Sequence, residues 1–302
     1  MTTLEKFIQI KNIYLSSLKV ITKSNATFVK YQSVLDDFEK CLSNYFADEQ
    51  AAEITSQMIF KYSETAKQRG IKNNTLRHYL TIIKTFLSWS NEHKFYFEQP
   101  IIKQDMPKKD RIEYDLLTQD EINLILSGKI PKYTKHPNRN RAIVFLLLLT
   151  GLRVSELINL HYEDIDFDNY TLTIIGKGNK KRTTALPSIA IKSLESYINQ
   201  GFSTTNKGEL LFKNKDNKSF SEQNISQIVE RYVEKLTGHK NIRSHDLRHA
   251  YASLLITNNI PIPHISQALG HSNWETTAIY ASHLCPQKQV SEINNVFNNM
   301  FT

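Results

Sequence analysis

The sequence predicts a mainly α-helical protein of two domains, the second of which also contains a small β-hairpin. Its 302 residues exceed the length of one typical domain. Apolar residues recur at helical spacing along most of the chain. The clear exception is the β-rich run Tyr170–Ile175, which the turn sequence GKGN separates from a second short run, Arg182–Leu186. A lone hairpin is only marginally stable in water, so we expect this one to pack on helices.

The first hundred residues show apolar repeats of helical spacing only, which predicts a bundle of about four helices. These repeats cover residues 4–19, 24–38, 50–68 and 73–87. Two prolines and a charged run then interrupt the pattern, which is typical of a linker. At Thr118 the sequence TQDE forms a capping box, which indicates that a new helix begins there. We therefore assign residues 1–106 to a first domain, 107–115 to a linker and 116–302 to a second domain.

The formal net charge of +8 favours a polyanionic partner, because a basic surface attracts phosphate groups largely independently of sequence. This charge is not confined to a tail. Up to residue 110 there are 16 Lys and Arg against 12 Asp and Glu, and beyond it 22 against 18, so each part carries +4. Two basic domains suit a clamp around a nucleic-acid duplex, although two ordinary basic domains would show the same balance.

Several features argue against an exported, membrane-bound or metal-dependent protein. The two cysteines, Cys41 and Cys285, provide neither a disulfide framework nor a zinc-site spacing. The first residues have no signal-peptide pattern, and the longest apolar run, Ala142–Leu149, has about half the length of a bilayer span, so it predicts a buried helix. The alternating aspartates of residues 164–168 lack the glycine and glutamate of a calcium loop and predict a solvated turn. We expect a cytoplasmic protein.

Two stretches in the middle of the chain place basic side chains where they suit phosphate chemistry. Gly151 ends the apolar helix and a new helix begins at once with Glu156 in its first turn, so Arg153 lies at a junction between buried helices. A guanidinium held in this way is preorganised for phosphate, although simple pairing with Glu156 would also explain it.

In the hairpin turn, glycines flank Lys177, which is suited to deliver a proton if its pKa is lowered. An ordinary solvated lysine is the alternative.

The stretch SHDLRHAYAS and the residues after it contribute four more groups. His245 and Arg248 lie three residues apart, on the side of a predicted helix opposite its apolar side. A short helix that starts at a Pro-Ile-Pro sequence stops at Gly270, which leaves His271 just beyond its end. A capping box then opens a helix that carries Tyr280. Each residue alone also fits a bland role, such as a surface histidine or a half-buried tyrosine.

In order and spacing, these groups resemble the tyrosine recombinases, also called the λ-integrase family, and most closely the two-domain Xer-type members. The resemblance rests on the boxes TGLRVSEL, IIGKGNKKR, SHDLRHAYAS and LGHSNWETTAIYASH, within residues 150–283. Residues 24–87 are similar, less specifically, to the DNA-clamping domain of that family. The resemblance implies a SAM-like, core-binding helical bundle followed by an α-rich catalytic domain with a small β-hairpin or sheet. It assigns His249 no role, and the catalytic positions that it implies are Arg153, Lys177, His245, Arg248, His271 and Tyr280.

The resemblance implies a site-specific DNA recombinase that cleaves and rejoins DNA through a 3′-phosphotyrosine and a Holliday junction. Tyr280 would attack the scissile phosphate, and Lys177 would protonate the departing 5′-oxygen. Arg153, Arg248 and His271 would hold the non-bridging oxygens of the phosphate. His245 would manage protons near the nucleophile, and Glu156 would orient Arg153 or support its helix. The family uses no metal and no nucleotide cofactor, because the phosphotyrosine conserves the energy of the cleaved backbone bond.

The same resemblance implies the partners. These are the double-stranded DNA of a core recombination site and, in the synapse, three further copies of the chain in a homo-tetramer; the free protein would be a monomer or dimer, and an accessory protein could take part. The amphipathic tail of residues 286–302 would dock into a neighbouring protomer, or else pack back on its own domain. The expected location is the bacterial cytoplasm, in association with the nucleoid and not with a membrane. Our candidates for further DNA contacts are Arg69, Lys72, Arg77, Lys84, Lys180, Lys181, Arg182 and Arg243.

Two alternatives to a recombinase remain at this stage. A type IB topoisomerase shares the tyrosine chemistry but acts as a monomer on one strand. A DNA-binding protein without activity is the other alternative, although all six expected catalytic positions are intact. The biological role stays open between resolution of chromosome dimers and integration or resolution of a mobile element.

Overall fold

The computed structural model describes residues 2–22, 25–49, 53–95, 100–101, 103–110, 116–132, 134–176, 181–202 and 208–270. The chain divides into two compact units, residues 1–113 and 114–302. Each unit has its own apolar core. The prediction of a mainly α-helical protein with one small sheet is confirmed.

The first unit contains four α-helices within its described residues. They are α1 (Thr3–Ile21), α2 (Asn25–Phe46), α3 (Ser56–Gln68) and α4 (Asn73–Glu92). Aromatic rings fill the space between them: Phe7 lies edge-to-face against Phe38 and Phe86, with ring centroids 5.4 and 5.3 Å apart. Such aromatic pairs stabilise a core beyond the area that they bury.

The chain that follows α4 is attached to that helix by side chains of α4 itself. Arg77 donates to the carbonyl of Pro107, and Lys84 Nζ donates to the carbonyl of Ile101 at 3.1 Å. At the start of α4, the Asp110 carboxylate accepts from Asn73 Nδ2 at 2.8 Å. The described start of the predicted linker is therefore bonded to the first unit; the domain limits that the sequence indicates stay a prediction.

The second unit is built around one buried helix. Its helices in the described residues are α5 (Gln119–Leu126), α6 (Pro137–Thr150), α7 (Val154–Leu157), α8 (Ser188–Tyr197), α9 (Glu222–Thr237), α10 (Ser244–Thr257) and α11 (Ile262–Leu269). In α6, every residue of 142–148 is buried, so the prediction of a buried helix is confirmed. A helix that is apolar on all sides needs neighbours on all sides, and α8, α9 and α10 pack around it. Among the helices described, none has the length and apolar character to cross a bilayer.

The predicted hairpin forms, with one additional short strand. Strand β1 (Ile165–Asp166), β2 (Thr171–Ile175) and β3 (Lys181–Ala185) make an antiparallel sheet in that order. Leu172 pairs with Thr184 and Ile174 with Arg182, so these four side chains share the inward face of the sheet. In the turn before β2, the Asp166 carboxylate accepts from the backbone N–H groups of residues 168 and 169.

Replacement of Phe86 by alanine is expected to destabilise the first unit by about 3–5 kcal/mol, because it removes a fully buried ring and leaves a cavity. The measurement is the urea midpoint of unfolding. The matched control is Phe60→Ala in α3, where the residue is 73% exposed and a change within about 0.5 kcal/mol is expected. Equal losses for the two variants would contradict the packing described for this core.

Candidate active site

Two glycines set the backbone at which the site is assembled. Gly151 ends α6 and Gly270 ends α11, both in the left-handed conformation, with φ of 62° and 65°. This conformation is costly for residues with a Cβ, and it turns the chain sharply at each helix end. After Gly151 the chain enters α7, with Arg153 as the residue that precedes the helix. The predicted junction at Arg153 is therefore present.

Three arginines donate hydrogen bonds to three consecutive carbonyl groups at the end of α11. Arg182 Nε reaches the carbonyl of residue 268 at 3.1 Å, Arg248 Nη2 that of residue 269 at 2.6 Å, and Arg153 Nη2 that of residue 270 at 3.1 Å. The last carbonyls of a helix have no partner within the helix, and they form its partially negative end. The end of α11 therefore gathers guanidinium groups from β3, α10 and the start of α7 at one place, next in sequence to His271.

Glu156 joins two of these arginines. Its carboxylate accepts from the backbone N–H of Arg153 at 2.8 Å and from Arg153 Nη1 at 3.0 Å. It also accepts from Arg182 Nη1 at 2.7 Å and Nη2 at 2.8 Å, a bidentate pair. Burial would raise the pKa of the Glu156 carboxyl, but the hydrogen bonds from Arg182 and from the backbone of Arg153 outweigh it and lower that pKa. Glu156 is therefore ionised at neutral pH.

The cluster carries an excess of positive charge. Three guanidinium groups and one carboxylate give Arg153, Arg182, Arg248 and Glu156 a net charge of +2. The residue Arg248 is only 2% exposed, and its Nη1 donates to the carbonyl of Gly151. A buried cation is costly unless polar groups surround it, and a phosphate group would neutralise the excess. The arrangement is suited to bind an anion with non-bridging oxygens.

His245 is part of a histidine pair. Its Nδ1 lies 2.6 Å from Nε2 of His249, which is buried one turn further along α10. One ring must donate and the other accept, so the two rings cannot both be fully protonated in this geometry. Desolvation and then the charge of Arg248 lower the pKa of His245, while Asp246 opposes them. A neutral imidazole that can accept a proton is the result.

The structure thus brings together Arg153, His245 and Arg248 of the six predicted catalytic residues. Lys177, His271 and Tyr280 lie outside the described residues, as do Lys180 and the tail of residues 286–302. Among the described residues, no group of three or more His, Cys, Asp or Glu side chains is arranged as a metal site. The assignment of catalytic roles stays a prediction.

The predicted DNA contacts of the first unit differ in how their side chains are engaged. Arg69 forms a bidentate pair with Asp37, at 2.7 and 2.8 Å, and this pair holds the pKa of the Asp37 carboxyl below its ordinary value. Arg77 and Lys84 bind backbone carbonyls, as described above. Lys72, directly before α4, is exposed. In the second unit Lys181 and Arg243 are exposed, whereas Arg182 is turned inward.

Sequence reasoning missed two contributors to this site. Arg182 is expected from the sequence to bind DNA, but it is bonded within the protein. A signal was present: in a strand that starts at Lys181, residues 182 and 184 point to the same face, and Thr184 is buried. His249 is expected to have no role, but it is bonded to His245. Its spacing of four residues from His245 on a helix is the signal for that contact.

An arginine cluster with an excess of positive charge, in an α-rich unit that follows a four-helix unit in the chain, is suited to an enzyme that acts on a phosphodiester. Residues 115–285 match the family described as "Phage integrase family", and residues 12–94 match "Phage integrase, N-terminal SAM-like domain". The first match covers more than half of the chain, so the chain belongs to the phage integrase family. It is a tyrosine recombinase, an enzyme of site-specific recombination.

The relatives agree with this assignment, and the solved structures agree with the fold. The chain is 29% identical over 259 residues to tyrosine recombinase XerD of Oceanobacillus iheyensis, and the match covers 82% of this chain and 86% of that one. It is 32% identical over 216 residues to XerD of Staphylococcus epidermidis, with 70% and 72% covered. The XerH recombinase bound to palindromic difH has the same fold: the TM-score is 0.71 at 21% identity, and the match covers 90% of this chain and 80% of that one. The Tn1549 transposon integrase in complex with a circular intermediate DNA also has this fold: the TM-score is 0.74 at 14% identity, and the match covers 98% of this chain and 99% of that one.

The lowered pKa of His245 predicts a pH dependence of stability. The unfolded chain binds a proton at His245 near the ordinary value of 6.5, whereas the folded chain binds it only at lower pH. Between these values the unfolded state carries more protons, so stability decreases as the pH falls below 6.5. The measurement is the urea midpoint of the second unit between about pH 5 and pH 8.

His245→Asn is expected to flatten this dependence, because asparagine does not titrate. The wild-type protein, measured under the same conditions, provides the reference slope. The same slope in wild type and His245→Asn would show that His245 does not have a lowered pKa.

Proposed function

We propose that this recombinase cleaves and rejoins duplex DNA with Tyr280 as the nucleophile, through a 3′-phosphotyrosine and a Holliday junction. The observation that carries the proposal is the convergence of Arg153 and Arg248 on adjacent carbonyls at the end of α11, with an excess of positive charge and a neutral His245 on the same helix as Arg248. His271 follows that helix end directly in the sequence.

In this proposal the guanidinium groups hold the scissile phosphate and stabilise the transition state. Their bonds to Glu156 and to backbone carbonyls fix each group before DNA binds, so little reorganisation accompanies the reaction. His271 is the third phosphate ligand, and Lys177 protonates the departing 5′-oxygen. His245, neutral near physiological pH, accepts or relays a proton beside the nucleophile. No metal or nucleotide cofactor takes part.

The exposed basic residues Lys72, Lys181 and Arg243 are suited to contact the DNA backbone, since their side chains are accessible to a large partner. Lys180 directly precedes Lys181 in the sequence and is proposed to make the same kind of contact. Arg69, Arg77 and Lys84 would reach DNA only if their present partners were exchanged for phosphate. We propose that the protein acts on a core recombination site in the cytoplasm, at the nucleoid.

The active assembly in this proposal is a homo-tetramer in which two duplexes are synapsed, and the free protein is a monomer or dimer. The tail of residues 286–302 docks on a neighbouring protomer. The biological role stays open between resolution of chromosome dimers and integration or resolution of a mobile element, since the chain is similar in sequence to XerD recombinases and in fold to the Tn1549 transposon integrase. The target sequence and an accessory protein would decide between these roles.

The proposal predicts a covalent protein–DNA adduct on a nicked suicide duplex. Tyr280→Phe is expected to abolish the adduct, because the variant lacks the oxygen that attacks phosphorus. The measurement is a denaturing gel of protein with labelled DNA. Tyr170→Phe is the matched control and keeps the adduct, since Tyr170 is an exposed residue of the turn before β2. An adduct that persists in Tyr280→Phe would identify a different nucleophile.

Deletion of residues 286–302 is expected to reduce complete strand exchange much more than formation of the first adduct. The reason is that docking between protomers couples the active sites, whereas a single cleavage needs only one. The measurements are recombinant product and synaptic tetramer by native gel, beside adduct yield. Full strand exchange with unaltered synapsis would rule out a coupling role of the tail.

A further inference from the structure

Arg182 lies on the inward face of the sheet, between exposed neighbours. It is paired with Ile174 of β2, and its side chain is 12% exposed. The flanking residues Lys181 and Thr183 are exposed. A DNA duplex that approaches the outer side of this strand would therefore meet Lys181 before Arg182.

Polar groups of the protein already bind three of the five N–H donors of the Arg182 guanidinium. Nη1 and Nη2 bind the two oxygens of Glu156, and Nε binds the carbonyl of residue 268. The backbone of Gly270 packs closely against one side of the guanidinium: a Cβ added at this position would lie only 2.9 Å from Nη1 of Arg182. The guanidinium is thus enclosed by α7, the end of α11 and the glycine that follows it.

The same carboxylate that binds Arg182 also binds Arg153. Glu156 is buried and shares its two oxygens between both arginines. If Arg182 were lost, the buried Glu156 carboxylate would keep Arg153 as its only guanidinium partner among the described residues and would attract it more strongly. The position of the Arg153 guanidinium therefore depends on Arg182.

Arg182 also connects parts of the chain that are distant in sequence. It belongs to the strand that begins four residues after Lys177, it binds the helix end that precedes His271, and through Glu156 it reaches Arg153. A planar guanidinium with donors on two edges can join these groups at once, which an ammonium group cannot do.

We propose that Arg182 is a positioning residue of the recombinase, not a contact to DNA phosphate. It binds both Glu156 and the end of α11, and it thereby fixes the position of the Arg153 guanidinium relative to that helix end. This inference rests on the proposed role of Arg153 as a phosphate ligand.

The first test compares Arg182→Gln with Lys181→Gln, in full-length protein on a suicide duplex that the wild type cleaves. Arg182→Gln is expected to slow adduct formation at saturating DNA by roughly 100-fold, as small misplacements of catalytic groups do, with DNA affinity little changed. Its slope of log affinity against log salt should equal that of wild type. Lys181→Gln is expected to reduce that slope by about 0.9, the value for one phosphate contact. Thr183→Ala, at an exposed residue of the same strand, should behave as wild type.

Two further variants separate positioning from charge. Arg182→Lys keeps the charge but cannot make the bidentate pair, so it should remain slow. Glu156→Gln combined with Arg182→Gln should be no slower than the worse single variant, because both act on Arg153 through one unit. If Arg182→Gln instead lowers the salt slope and is as fast as wild type at saturating DNA, Arg182 is a phosphate contact. Full rescue by lysine would equally overturn the proposal.

A stability measurement tests the coupling without any recombination activity. Without Arg182, the pKa of buried Glu156 is expected to rise, so the folded variant binds more protons than folded wild type. The difference in urea midpoint between wild type and Arg182→Gln should therefore decrease as the pH falls from neutral towards 4.5, the ordinary pKa of a glutamate carboxyl. In a Glu156→Gln background this pH dependence should vanish. If no adduct forms with any DNA, the proposed function is wrong, but the coupling of Arg182 to Glu156 is unaffected. If the difference in urea midpoint between wild type and Arg182→Gln does not depend on pH, the coupling itself is wrong.

Discussion

The carboxyl-terminal end of α11 is the part of the second unit on which the site depends. Helix ends normally leave their last carbonyls to water or to a cap, and here three arginines from three other elements occupy them. Each bond pairs a full positive charge with the partially negative end of a helix. Because the carbonyls are consecutive, the guanidinium groups are confined to a small region. The spacing of the cations is thus set by backbone geometry.

That arrangement explains why so much positive charge is tolerated in a buried place. Arg248 alone would be costly at 2% exposure, but it has carbonyl oxygens of both Gly151 and residue 269. Glu156 compensates part of the remaining charge, and the rest is left for an anion. Glu156 and the backbone carbonyls hold the guanidinium groups in place before an anion binds, which is what preorganisation for phosphate requires.

Local signals account for what could be predicted from the sequence. The capping box of Thr118 and Glu121 forms as expected, and Gly151 and Gly270 end helices where the sequence indicates. Such features depend on residues within one turn of each other. Strand β1 has two residues, which is too short to produce a periodic pattern. The partners of Arg182 lie 26 and 86 residues away, so strand alternation could indicate that its side chain points inward but could not identify what it binds.

The two glycines place a stricter demand on the site than the helix-ending role alone. A Cβ at Gly151 would lie 2.4 Å from the ring of Tyr251, and one at Gly270 would meet the guanidinium of Arg182. Tyr251 belongs to the helix that carries Arg248, and it bonds to Thr184 of the strand that carries Arg182. The tight approach at Gly151 therefore sets how close α10 comes to α6, and the one at Gly270 sets how close β3 comes to α11. Both glycines are needed for φ and for contact distance together, so a side chain would have to displace the Tyr251 ring at position 151 and the Arg182 guanidinium at position 270.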